Sequence, residues 1–328
     1  MYSRSYSDDS KKHFFIKIVL LAVALFQVVS SFFIPAEFER AGEWIPLFSG
    51  FLDLEIVNTA SSSSIIAGLV SVALLLLSVY IVNDRLFSNI SESFTAVTVA
   101  ATLVFCNPHS IYFSSISLAA ICLIWAIYCL FMSQIFSSFF LMSLGALFFA
   151  PVILIIPVMM IVTLIRAPEP LKAFLKSLGG AFTPAIYIIS FRYLEFNDVG
   201  VFCSQYAEQV TQIKFAFFSK HMTDLFMLLC IAITSCHAII KTFSSQRRNN
   251  IAEAKGLRLV ILASILCAAI YFLYSGSANV PLCTIVAPAL AMIVSNFFTN
   301  WYDNPSVRIE IIIVLCSFIV ARLGYFVS

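Results

Sequence analysis

Residues 103–166 read LVFCNPHSIYFSSISLAAICLIWAIYCLFMSQIFSSFFLMSLGALFFAPVILIIPVMMIVTLIR. The stretch holds no Asp or Glu, and its one Lys or Arg is Arg166, which closes it. Two breaks interrupt it, at Asn107-Pro108-His109-Ser110 and at Ala150-Pro151. Proline removes a backbone donor and clashes with the preceding turn, so each break ends or bends a helix. The apolar run Ser137–Ile165 is 29 residues long, about 44 Å as a helix at 1.5 Å per residue. One crossing takes ~20 residues, so the run is long for one span and short for two. Two short helices hinged near Ala150-Pro151 fit this length, and so does one long, kinked and tilted helix.

The rest of the chain has the same character. Apolar residues make up 61% of it and charged residues 11%, against ~45–50% and ~25% in soluble domains. Phenylalanine alone supplies 33 residues, more than a soluble globule of this size could cover with polar groups. Repeated apolar runs near 20 residues predict an all-α, polytopic transmembrane helical bundle of about eleven spans. These runs do not alternate, which argues against a β-barrel. A net charge of +2, with no basic stripe, excludes nucleic acid as a partner. Most of the nine cysteines lie in apolar runs, where cysteine behaves as a small hydrophobe. Cys106, Cys203 and Cys283 fall near one face, where two of them could pair. The four histidines form no metal-ligand spacing, and no P-loop, GxSxG or GxGxxG is present. No resident cofactor or metal is expected.

Taken in order, residues 1–12 form a flexible cytoplasmic tail, and 13–328 a single transmembrane domain. His13–Phe33 is an uncleaved first span, with Lys11, Lys12 and Lys17 at its front. The loop 34–61 is acidic, carrying Glu37, Glu39, Glu43, Asp53 and Glu55 against Arg40, and its WIPLFSGFLDLEIV suits a membrane surface. Spans follow at about 62–82, 93–106 and 111–132, then the pair hinged at Ala150-Pro151, then 173–191. A second loop, 192–223, contains a surface helix within CSQYAEQVTQIKFAFFSKH. The last four spans are 224–242, 259–274, 280–298 and 307–323, with a basic loop at 243–258. With the N-terminus in the cytoplasm, the outer side receives only Arg40, Arg192, Lys214, Lys220 and Arg322 of the basic residues. The other fourteen fall inside, as the positive-inside rule requires. One unbroken helix over Ser137–Ile165 would invert everything downstream, so the charges favour the hinged pair.

Ionisable groups inside spans are expensive and therefore point to function. The span centres carry almost none, which argues against ion-coupled transport. His237, near the inner end of its span, is expected to be hydrogen-bonded within the bundle. At the outer face, a carboxylate could act as general base or hold a divalent metal. Glu39 and Glu43 share a face if their segment is helical. The cations Arg40, His109, Arg192, Lys214, Lys220 and His221 all map to that side, where they could neutralise a lipid phosphate.

The segments NPHSIYFSSISLAAICLIWAIYCLFM and LGALFFAPVILIIPVMMIVTLI resemble an uncharacterised family of Bacteroidota polytopic inner-membrane proteins, often mislabelled β-carotene monooxygenases. VNDRLF, LIRAPEPLKAFLKSLGGAFTPAIYI and the final helix pair share the likeness. It implies a protein of the cell envelope. More remotely, the same block is similar to the core of type-C glycosyltransferases, where short helices beside full spans surround an outer site for a polyprenyl-phosphate-linked sugar. Such enzymes carry a paired-acid base soon after the first span. This sequence has Glu37 and Glu39 in PAEFER, separated and glutamate rather than aspartate.

Three functions follow as expectations. The first is a non-catalytic component of the bacterial inner membrane with a glycosyltransferase-like scaffold, surrounded by lipid and joined to an envelope protein partner. The second is a lipid-linked sugar transferase with Glu37 or Glu39 as base, the outer cations on the lipid phosphate and a divalent metal as its one conceivable cofactor. The third is a flippase-like transporter of lipid or polysaccharide.

Overall fold

A computed structural model describes residues 3–34, 45–47, 62–87, 90–213, 222–245, 251–274, 283–301 and 304–327. Among these, every regular element is a helix. In chain order they are α1 (Ser3–Ser31), α2 (Ser62–Phe87), α3 (Ile90–Val104), α4 (Ser115–Phe131), α5 (Ile135–Phe148) and α6 (Ile155–Arg166). Then come α7 (Pro170–Glu195), α8 (Val199–Thr211), α9 (Met222–Ser245), α10 (Ile251–Tyr274), α11 (Cys283–Trp301) and α12 (Pro305–Val327). Short 3₁₀ turns occupy both sequence breaks, Pro108–Ile111 and Ala150–Leu154. Three of the described helices are long and apolar enough to cross a membrane: α2, α7 and the Lys255–Tyr274 part of α10.

The helices overrun the boundaries read from hydropathy. Asn83-Asp84-Arg85 closes α2 rather than linking it onward, and Lys255 and Arg258 lie within α10. Likewise α1 begins at Ser3, so the polar segment taken as a flexible tail continues the first helix. Once a helix is nucleated, each further residue adds one hydrogen bond, and polar residues propagate it as readily as apolar ones.

Helix α11 stands at the middle, buried on all sides from Ala287 to Ser295, as befits a helix apolar all round. It packs on α2, α3, α4, α9, α10 and α12. Helix α4 is the second pillar, touching α2, α5, α10 and α11. On α2, the face Ser64, Gly68, Ser71, Leu75, Ser78 and Val82 is buried. Small residues at this spacing let helix backbones approach closely. Their hydroxyls stay satisfied at home: Ser71 donates to the Gly68 carbonyl and Ser78 to that of Leu74, both at 2.8 Å. Thr98 and Thr102 on α3 do the same. In an apolar interior such back-bonding removes the penalty of a bare hydroxyl.

Two glycines are fixed by close approach. A Cβ on Gly68 would overlap the Ile111 carbonyl oxygen and lie 2.5 Å from the Tyr112 carbonyl carbon. A Cβ on Gly180 would overlap the Phe136 carbonyl oxygen and sit 3.0 Å from the Phe140 nitrogen. The second contact sets the register of α7 on α5. Gly180 lies against Phe136 and Phe140, while Ile188 joins Leu147 in one buried cluster. Both numbers rise together, so α5 and α7 run parallel. Helix α6, which connects them and packs on α7, must therefore run back. The chain reverses at Ala150–Leu154.

Contacts between helices sort into two ends. At one, Lys255 donates to the Phe131 carbonyl (3.1 Å), and Gly256 lies beneath Phe131 and Leu86. There too Asn83 donates to Ser93 (3.1 Å). At the other, the Phe113 amide meets the Ser64 carbonyl (3.0 Å), and the Leu47 amide meets that of Leu147 (2.9 Å). Arg85, Arg166, Lys172, Lys176, Lys241, Lys255, Arg258 and Arg308 belong to the first, basic end. Among the described residues, the far end carries Arg192 and Arg322 as its Lys or Arg side chains. Between the ends the outward faces are apolar, with Leu25, Ile66, Leu77, Ile161, Tyr187, Ile233, Ile265 and Ile312 exposed.

Candidate functional site

Of the residues singled out at the far end, Glu37, Glu39, Arg40, Lys214, Lys220 and His221 lie outside the described residues. His109 and Arg192 are described, the first in the 3₁₀ turn after α3 and the second at the C-terminal end of α7.

His109 sits in the 3₁₀ turn after α3. Asn107 caps that turn, its side-chain oxygen accepting from the His109 amide at 2.9 Å. Ser110 then donates back to the Val104 carbonyl at 2.6 Å. Asn-Pro suits this job, because Asn caps with its side chain while Pro presets φ in the first position. The turn is a finished cap that presents a half-buried imidazole at the far end.

Arg192 is buried at the C-terminal end of α7. Its guanidinium donates to Asp198 Oδ2 at 2.9 Å and lies 5.1 Å from the ring centres of both Phe196 and Phe202. Between the paired residues, Asn197 adopts φ 50°, a left-handed conformation that Asn tolerates better than other non-glycine residues. The turn swings α8 across the end of α5. Tyr206 of α8 then donates to the Ala146 carbonyl at 3.1 Å. Burial raises the Tyr206 phenol above its ordinary range, so it stays a protonated donor there. Arg192 thus fixes a surface helix. Asp198→Asn is expected to loosen α8 by about 1–2 kcal/mol, a discounted figure because the carboxylate is one-third exposed. Limited proteolysis reads this directly: faster cleavage within 199–213 than in the parent, with the rest of the chain unchanged.

Two ionisable groups within α12 were not expected to pack inside the bundle. Arg322, placed there among the outer cations, is 1% exposed. The reading ended the last span at residue 323, whereas α12 runs to Val327, which draws Arg322 more than a turn inward. One guanidinium nitrogen, Nη2, lies within hydrogen-bonding distance of the Gln27 carbonyl (2.9 Å), the Ser31 hydroxyl (2.8 Å) and the Phe105 carbonyl (2.6 Å). These acceptors sit where α1 ends and just beyond the end of α3. A cation among helix C-terminal carbonyls meets the negative end of the dipole. The second group, Glu310, contacts His237 of α9 at 2.7 Å, Nδ1 to Oε1. The bundle therefore holds more charge than hydropathy suggested.

All nine cysteines are free thiols, so neither Cys106, Cys203 nor Cys283 is bridged. Among the described residues, no three His, Cys, Asp or Glu side chains come together as a metal site would need. No protein-family model, no curated protein and no solved structure matches this chain.

Proposed function

We propose that this protein is a polytopic component of a bacterial inner membrane. In this reading it crosses about eleven times, with its N-terminus in the cytoplasm and its C-terminus outside. There it serves the cell envelope as a non-catalytic scaffold, with a glycosyltransferase-like arrangement of short and long helices, for a partner protein. The observation that carries the membrane reading is the segregation of cations to one end of a bundle whose sides are apolar. Support for a scaffold comes from the far end, where Arg192 and Arg322 bind the protein's own carboxylate, hydroxyl and carbonyls. Side chains engaged in this way hold helices in place.

A transferase acting on a polyprenyl-phosphate-linked sugar is the second reading. The reversed short pair α5–α6 beneath α8 favours it, since such an arrangement leaves an irregular outer surface over which a lipid headgroup could lie.

Orientation is tested at Cys203, an exposed thiol of α8. In cells with a permeabilised outer envelope, a membrane-impermeant maleimide should label it as fast as a known external thiol. Labelling only after lysis would overturn the topology. For the scaffold, tagged protein in mild detergent should retain one envelope protein at fixed stoichiometry, and that protein should recover this chain in return. A clean monomer would count against the scaffold. Loss of a glycan product in Glu37→Gln or Glu39→Gln, at normal abundance, would replace it with the transferase.

A further inference from the structure

We propose that the corner between α6 and α7 holds the headgroup of an anionic phospholipid from the cytoplasmic leaflet. The proposal rests on the membrane reading above and adds which lipid is held, and where. Residues 166–176, RAPEPLKAFLK, carry Arg166, Lys172 and Lys176 against one acid, Glu169. Three cations against one acid leave a charge of +2. No other acid occurs from Ile155 to Phe191, and α5, which packs on both helices, has no charged residue.

The corner is stiff. Pro168 and Pro170 each fix φ, and Pro170 opens α7 at a first-turn position. The Ala167 amide bonds back to the Thr163 carbonyl at 2.9 Å, which closes α6. Lys172 and Lys176 stand one turn apart on one face of α7. Gly180, a turn further on, lies against Phe136. Lys176 is therefore about 6 Å nearer the basic end than that contact, and Lys172 about 12 Å. Arg166, Lys172 and Lys176 are all exposed. Glu169 Oε2 meets Lys172 Nζ at 3.2 Å, but the two side chains are 67% and 63% exposed. A pair this wet is weak and yields readily to a stronger anion.

The surface beside these cations is apolar and bare. Ile161 and Ile165, one turn apart on α6, and Leu171 and Leu175, one turn apart on α7, are all exposed, Ile165 to 80%. A phospholipid fits both halves of the corner. Its phosphate accepts charge-assisted hydrogen bonds from the guanidinium and the ammonium groups, and its acyl chains cover the isoleucines and leucines. Free phosphate would use the cations and leave the apolar half uncovered.

The test uses the full chain in proteoliposomes of phosphatidylcholine with a trace of photoactivatable lipid, its diazirine in the acyl chain. Crosslinks are mapped by mass spectrometry. A phosphatidylglycerol probe should label residues 158–176 at least about fivefold more than the matching phosphatidylcholine probe, the factor expected for one basic residue at an anionic headgroup. Replacing Arg166, Lys172 and Lys176 together by Gln should bring the two probes level there. Arg85→Gln, at the same end but on α2, should leave the preference intact, as should excess inorganic phosphate. Equal labelling by both probes in the parent, or an undiminished preference in the triple variant, would overturn the proposal. So would loss of the preference in inorganic phosphate, which would make the corner a site for the free anion. No labelling by either probe anywhere on the chain would strike the membrane reading itself, and this proposal with it.

Discussion

Gly68→Ala is expected to destabilise the protein severely, at or beyond the upper end of the ~1–3 kcal/mol that overpacking costs. Two effects oppose each other at this position. Alanine is the better helix former by about 1 kcal/mol. The new methyl, however, would meet the backbone of Ile111, the last residue of the 3₁₀ turn, and of Tyr112 and Phe113 just beyond it. A side chain could rotate away from the methyl, whereas this backbone is held by the Phe113–Ser64 hydrogen bonds. The clash should win. Adjacent glycines of α7 supply the control. Gly180→Ala meets the backbone of Phe136 and Phe140 and should behave like Gly68→Ala. Gly179→Ala places its methyl 3.5 Å from the edge of the Phe136 ring, an ordinary contact, and should be neutral or slightly stabilising. Thermal unfolding followed by size-exclusion chromatography distinguishes them. Equal midpoints for the two α7 variants would refute the close packing of α5 on α7.

Arg322→Met is expected to lower stability by about 3–5 kcal/mol, the range for opening a buried charged network. Methionine preserves much of the volume and removes the donors. The Gln27 carbonyl would keep bonds from Ser30 and Ser31, so the heavier loss falls on the Phe105 carbonyl, just past the end of α3. Arg322→Lys keeps the charge but replaces the planar fork with a compact ammonium on a flexible stem. It should recover part of the loss. If Arg322→Met unfolds within about 2 °C of the parent, the residue is a bystander.

The reversal near Pro151 was legible because counting charges tests a topology that hydropathy alone leaves open. A single kinked helix would have put Arg166, Lys172 and Lys176 on the wrong side. The turn at Asn107-Pro108 was legible for a local reason, the chemistry of an Asn-Pro cap. Helix ends were not: Asn83-Asp84-Arg85 and Lys255 look like loop residues, yet the backbone carries the helix through them. The packing of Arg322 and Glu310 inside the bundle was missed for a related reason. Each sits near a span end in sequence, and only the neighbouring helices decide whether a side chain there meets water or another helix. His237 was expected to be hydrogen-bonded within the bundle, and it is. Its partner, 73 residues away, leaves no trace in local spacing. As for the proposed base, Glu37 and Glu39 fall outside the described residues, and the acidic loop stands as the sequence left it.

The shortness of α5 has a consequence for where α8 can pack. Leu86, Phe131 and Gly256 share one level at the basic end, and from there α2 climbs about 33 Å to Ser64. Helix α5 starts just beyond Phe131 and has 14 residues, so it rises only about 21 Å. Its last turn stops roughly a third of the way short, and α8 settles into the shortfall through Phe202 and Tyr206. No side chain from Ser138 to Phe148 is exposed, because the 26-residue α7 runs alongside and continues past the end of α5. The step left by the short helix is thus an internal seat rather than a gap in the outer wall, and α8 is the piece that fits it. Lengthening α5 by one turn should dislodge α8, read as faster proteolysis within residues 199–213.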